Sequence, residues 1–271
     1  MTSDPAPATD AVVASEGWGV LHLFLAVDHA AAEKLSPDAA QSFVATLSTL
    51  QERVQLHAFS VPGHKADIML MALHEDLGQL RQIQTDIVGG PASSALCLTW
   101  SYISLTEGSE YTPTADQYRQ ELAAKGAEGP ELDRRVDEFA ERMAKYTEDK
   151  LHPQMPSWPV ACFYPMSHRR EGSDNWYSLS FDERKRLMHE HGRSGRAYTG
   201  RVVQLVAGST GLDDWEWGVT LFAHDVADLK RIVYQLRYDE ASARFAEFGP
   251  FVLGIRREPL ALAIEVGLLR Q

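Results

Sequence analysis

The chain is poor in the residues that staple a protein together or carry it through a bilayer. Its 271 residues include only two cysteines, Cys97 and Cys162, too few for a disulfide framework or a cysteine-built zinc site. Both sit in apolar runs, 95–98 and 160–163, which predicts buried free thiols. The longest apolar runs, such as 20–27, fall far short of the ~20 residues that cross a bilayer. Positive charge is also in deficit: 26 Lys and Arg stand against 38 Asp and Glu, a formal charge of −12. That balance disfavours broad binding to nucleic acid or anionic lipid, but leaves room for a locally basic site. Residues 1–15 have neither the basic nor the apolar segment of a secretory leader. The expectation is a cytoplasmic protein with no nucleic-acid and no membrane partner.

Several reaction classes lose their signature as well. No glycine-rich phosphate cradle follows a strand, and no Walker-type lysine is present. The Gly-x-Ser-x-Gly elbow and the His-Glu-x-x-His zinc motif are both missing.

What is present is an ordinary globular composition, 44% hydrophobic and 24% charged, in a length that suits two domains or one duplicated one. Strand-length apolar runs at 18–27, 54–60, 67–73 and 96–105 alternate with helical patterns at 37–52 and 75–88. The second half repeats this β-α-β-β-α-β order, with strands at 160–166, 202–209, 215–222 and 251–255. Its helices are predicted at 180–192, opened by the capping-box spacing of Ser180 and Glu183, and at 226–238. The duplication predicts an α+β fold in which each ferredoxin-like half forms a four-stranded antiparallel sheet with two helices on one face. The open faces then cover each other as an α+β barrel. The expected divisions are a tail at 1–15, halves at 16–110 and 160–258, a helical connector at 111–159 and an extension at 259–271. That extension could be a helix packed on a neighbour or a loose tail.

Candidate chemistry concentrates in 151–176, with His152, Tyr164, Met166, His168, Arg169, Arg170 and Trp176. Alternation along a strand puts Tyr164 and Met166 on one face. A phenol, a thioether and a cationic rim suit a flat apolar ligand with carboxylate edges. His189 and His191 are two apart, so on a helix they point ~200° apart and cannot readily share one metal.

Five segments carry a resemblance: 162–167 (CFYPMS), 174–177 (DNWY), 191–192 (HG), 208–222 (GSTGLDDWEWGVTLF) and 238–245 (YDEASARF). Together they resemble the chlorite dismutase superfamily and, within it, the coproheme decarboxylases, most closely the actinobacterial branch. The likeness spans roughly 18–257. It implies a dimeric α+β barrel within one chain, heme bound in the C-terminal half, a homopentamer, and transient contact with ferrochelatase. It implies an oxidoreductase of heme biosynthesis: coproheme (iron-coproporphyrin III) is both substrate and redox centre, hydrogen peroxide is the oxidant, and two propionates leave as carbon dioxide to give heme b. By the same resemblance Tyr164 is the catalytic radical tyrosine and His191, directly before Gly192, the iron ligand. Met166, Trp176, Gln204 and Ser242 match substrate-pocket positions, and His152 is the candidate distal base. Two positions depart from the pattern. His168 stands where relatives carry Lys or Arg, with Arg169 or Arg170 as substitutes, and Lys150 stands where many carry Arg. The alternatives are a chlorite-converting or general heme peroxidase, which would want an arginine in place of Gln204, and a heme carrier without turnover.

Overall fold

The computed structural model describes residues 11–270. The first half runs β1 (Gly19–Val27), α1 (His29–Ala32), α2 (Pro37–Arg53), β2 (Gln55–Ser60), β3 (Ile68–His74), α3 (Leu77–Val88) and β4 (Leu96–Thr106). The connector folds as α4 (Ala115–Ala124) and α5 (Gly129–Leu151). The second half runs β5 (Val160–His168), the hairpin β6 (Arg170–Glu171) and β7 (Asp174–Asn175), α6 (Phe181–Arg196), β8 (Val202–Gly208) and β9 (Trp217–Ala223). It continues through α7 (Val226–Leu236), α8 (Glu240–Phe245), β10 (Ala246–Phe248) and β11 (Val252–Arg256), and α9 (Pro259–Glu265) ends the fold.

Local chemistry explains the helix boundaries. Ser36 caps α2 ahead of Pro37, and Asp76 and Asp225 cap α3 and α7 through side-chain oxygens. Ser180 and Glu183 form the reciprocal capping box that their spacing predicts for α6. This helix runs one turn past the predicted stop at 192, because Gly192 and Gly195 are accommodated inside it.

Strand order is β2-β3-β1-β4 in the first half and β11-β5-β9-β8 in the second. In each, the first strand of the half lies between the third and the fourth. Two narrow seams join the halves: Leu105↔Gly208 with Thr106↔Ala207, and Ile255↔Ser60 with Arg256↔Phe59. With β5 paired to both β9 and β11, the sheet closes on itself. β10 continues the β11 edge along the end of β5, after a break at Gly249. A side chain there would meet Pro165 and Trp215 at 2.6 and 2.9 Å.

The closed sheet carries packed apolar side chains on both faces. Val20 and Phe24 of β1 point inward, among Phe59, Met69, Tyr102, Phe163 and Phe222. Leu21, Leu23 and Leu25 point outward onto Phe43, Leu47, Leu80 and Ile83 of α2 and α3. The equivalent outer face of the second half carries Tyr164, Val219 and Leu221 and is partly covered by Leu229 and Ile232 of α7.

Two expectations resolve differently. The extension packs on its own first half: Leu262 and Ala263 are fully buried in that core, and Glu265 accepts a hydrogen bond from Ser60 Oγ at 2.9 Å. Cys97 is exposed, whereas Cys162 is half-buried and packs against the outer cluster of the second half, so the expectation fails for Cys97. The reason is topological. β4 meets β8 only at its last two residues, so Cys97 lies on an open stretch of that strand.

Candidate active site on the outer face of the second sheet

Register decides which side chains share a face, because directly paired residues point the same way. Met166, Trp217 and Gly208 form one row across β5, β9 and β8. Tyr164, Val219 and Val206 form the next row, and Cys162, Leu221 and Gln204 the third. Tyr164, Met166 and Gln204 therefore share the outer face. At ~4.8 Å between strands and ~3.3 Å per residue, the Cα atoms of Tyr164 and Gln204 stand about 12 Å apart. The Tyr164 ring stacks on Phe251 at 4.5 Å and meets the edge of Phe248 at 5.8 Å. Burial holds its phenol well above the ordinary tyrosine range, so it stays protonated. Its hydroxyl has no hydrogen-bond partner among the described residues.

α6 lies over this face. A Cβ at Gly195 would stand 3.3 Å from Gln204 Nε2, so the helix backbone nearly touches that side chain. His191 is one turn earlier and thus on the same side of the helix. His189 points elsewhere and is exposed, whereas His191 is half-buried. The Nδ1 atom of His191 lies 3.3 Å from Asp239 Oδ2, and both atoms are buried without an aligned hydrogen bond. Ser194 Oγ donates to the other Asp239 oxygen at 2.8 Å. Burial lowers the His191 pKa, outweighing the opposing pull of Asp239, so the ring is neutral at neutral pH. Nε2 is left for a ligand.

The third wall is the end of β5 with its hairpin. The His168 ring stacks flat on Trp176, 4.1 Å away and 5° from parallel, and meets the edge of Trp217 at 4.9 Å. Trp176 is itself buried against Phe245 at 5.4 Å. Ser242 lies on α8, half-buried, one residue from Ala241 of that cluster. Glu216, 3% exposed, accepts from the His168 backbone N–H at 2.8 Å and is ion-paired with Arg170. Arg170 is therefore committed to the protein. Arg169 is exposed and has no ion pair among the described residues.

The end of α5 approaches the same rim. Thr106 Oγ donates to the Leu151 carbonyl at 2.6 Å, and the next residue, Glu107, accepts from Trp217 Nε1 at 3.0 Å. Burial lowers the Lys150 pKa, and no carboxylate pairs with it among the described residues. His152 caps α5, holds Glu148 at 2.7 Å and lies against Trp18 at 5.1 Å. None of these contacts joins it to Tyr164 or Gln204.

Sequence reasoning did not find Asp239 or Glu216. The one available signal was general, that an iron-bound imidazole needs an acceptor behind it. Among the described residues no group of three or more His, Cys, Asp and Glu converges as a metal site. A single imidazole with a carboxylate behind it, facing a broad apolar sheet, fits a metal that arrives inside its own macrocycle. The unpaired, half-buried Lys150 fits an anionic edge on that group.

The chain is similar over most of its length to proteins of known family. The chlorite dismutase family model matches residues 36–257. A coproheme decarboxylase from Oceanobacillus iheyensis is 36% identical over 254 residues, covering 90% of this chain and 94% of that protein. Among solved structures, a heme-binding protein from Thermus thermophilus is 34% identical with a TM-score of 0.77, covering 93% of this chain and 96% of its own. Chlorite dismutase from Candidatus Nitrospira defluvii, in complex with imidazole, shares the fold at a TM-score of 0.68 and 20% identity, over 94% of this chain and 97% of its own.

Proposed function

The chain belongs to the chlorite dismutase family, and we propose that it is the hydrogen-peroxide-dependent enzyme that decarboxylates two propionates of coproheme III to give heme b. One observation carries this reading. A neutral, carboxylate-backed imidazole is carried by α6, the helix that touches Gln204 on the sheet face shared with Tyr164, in a chain over a third identical to a coproheme decarboxylase.

Bound coproheme supplies the iron that activates peroxide and the propionates that are lost. His191 Nε2 would hold the iron, and Asp239, 3.3 Å from Nδ1, would accept from it there, fixing the tautomer and making the ring a stronger donor. Tyr164 keeps its hydroxyl hydrogen near a propionate, where oxidation of the phenol allows it to abstract hydrogen from the chain carbon. Phe248 and Phe251 pack against the phenol and hold it in place. Met166 would line the macrocycle, Trp176 would back the pocket from behind His168, Gln204 would face the peroxide, and Lys150, His168 and Ser242 would receive carboxylates. His152 takes the role of distal base only if the end of α5 turns its ring inward from Glu148. Each propionate yields two electrons and consumes one peroxide, whose oxygens leave as water. The family resemblance further supports a homopentamer in the cytoplasm that takes coproheme from ferrochelatase. No helix among the described residues is long and apolar enough to span a membrane.

The test is a peroxide titration of the coproheme complex followed by porphyrin mass analysis. Stepwise loss of two carboxyl groups is the expected result, and a bound, unchanged coproheme contradicts the reading.

A further inference from the structure

His168 presents an unusual environment for a residue facing a tetra-anionic substrate. Its ring is clamped between Trp176 and Trp217 and is only 12% exposed. Nδ1 is buried with no hydrogen-bond partner, yet Glu216 Oε2 stands 3.9 Å away. Glu216 is anchored by the His168 backbone N–H, Arg170 and Tyr177, and its own backbone N–H bonds to Met166 O at 3.1 Å. Burial alone would raise its pKa, but these donors outweigh it and keep the carboxylate ionised. The other charged or titratable groups that act on the His168 ring are His191 and Arg184, which oppose a positive charge there, and Glu110, which favours one.

We propose that His168 and Glu216 form a switchable anchor for one substrate carboxylate: His168 takes a proton from solvent when that carboxylate binds, and Glu216 is the positioning residue that turns Nδ1–H inward and holds Nε2–H toward the ligand. The inference rests on the coproheme reading of the site. The clamp explains why a histidine can serve here. Stacking fixes the ring plane, a small shift brings Nδ1 within hydrogen-bond range of Glu216, and the new cation then lies between two carboxylates. In the free protein, burial pushes the His168 pKa down to about 4, so the ring is neutral and the empty rim carries no unpaired cation at this point. A lysine in this place would be charged throughout.

By linkage, carboxylate binding raises the His168 pKa, so affinity falls with rising pH between the free and bound values. The experiment is calorimetric titration of the purified protein with coproheme from pH ~5.5 to ~8, in buffers of different ionisation enthalpy, beside His168→Gln, His168→Lys and Glu216→Gln. His191 is common to all four, so differences between them cancel the protonation of the iron ligand. The wild type is expected to take up more protons per coproheme than His168→Gln, approaching one. It should also lose affinity by up to about tenfold per pH unit relative to that variant. Glu216→Gln should shrink the excess uptake, and His168→Lys should bind without it. Equal uptake in the wild type and His168→Gln overturns the anchor. If Glu216→Gln fails to fold, the two His168 variants still decide it. Failure of the wild type to bind coproheme at any pH overturns the coproheme reading itself and takes this inference with it.

Discussion

The Nδ1 atom of His191 lies 3.3 Å from Oδ2 of Asp239, a carboxylate that Ser194 holds through its other oxygen at 2.8 Å. Asp239 sits at the start of α8, so the element carrying Ser242 also tunes the imidazole on α6. Removing an acceptor behind a metal-bound imidazole typically costs 10–100-fold in affinity or activity. Asp239→Asn should therefore weaken coproheme binding by about that factor and lower the iron–imidazole stretching frequency in resonance Raman. An unchanged frequency would separate Asp239 from the iron ligand.

Tyr164 has no hydrogen-bond partner to lose among the described residues. Tyr164→Phe should bind coproheme within a few-fold of the wild type, since a lost hydrogen bond of ~1 kcal/mol is worth about fivefold. Decarboxylation should stop. Retained turnover, measured by product mass, would move the radical chemistry to another residue.

Lys150 is half-buried, its pKa is lowered by burial, and no carboxylate opposes it among the described residues. Lys150→Met should raise the melting temperature of the ligand-free protein and weaken coproheme binding. A fall in melting temperature with unchanged affinity would make Lys150 a structural residue.

His22 is buried inside the barrel, where its Nε2 meets Thr220 Oγ at 2.9 Å and its pKa falls from 6.5 to about 3. Between those values the unfolded chain binds a proton that the folded chain excludes. This group's contribution to stability is therefore fully present above pH ~6.5 and is lost as pH falls toward ~3. The slope approaches ~1.4 kcal/mol per pH unit. Denaturant unfolding of wild type and His22→Gln from pH ~7 to ~4.5 should show the steeper loss in the wild type, and parallel curves would contradict this.

Leu262 is fully buried in the first half's core, although it comes from the last helix. Leu262→Ala should destabilise by about 2–5 kcal/mol. Coproheme affinity measured well below the melting temperature should be unchanged, because α9 lies on the half opposite the site.

These tests also mark what the sequence revealed and what it could not. The duplicated element order was legible because each signal is local: the Ser180–Glu183 capping box, the period-two strands, the apolar stripe 229–236. Tyr164 and Met166 were legible as a shared face for the same reason. The partners of the histidines were not. Glu216 and Asp239 each reach their histidine from a distant part of the chain, a pairing that no local spacing encodes. The seams were equally hidden, since each rests on a two-residue register between strands far apart in the chain. That narrow β4–β8 seam is also why an apolar context misjudged Cys97.

The most direct test of the central claim is the mass of the porphyrin after peroxide is titrated into the coproheme-loaded protein, run beside Tyr164→Phe. The wild type is expected to give a three-carboxylate and then a two-carboxylate product, and the variant intact coproheme or non-specific bleaching. Intact coproheme in the wild type, or the same two products in both proteins, would contradict the claim.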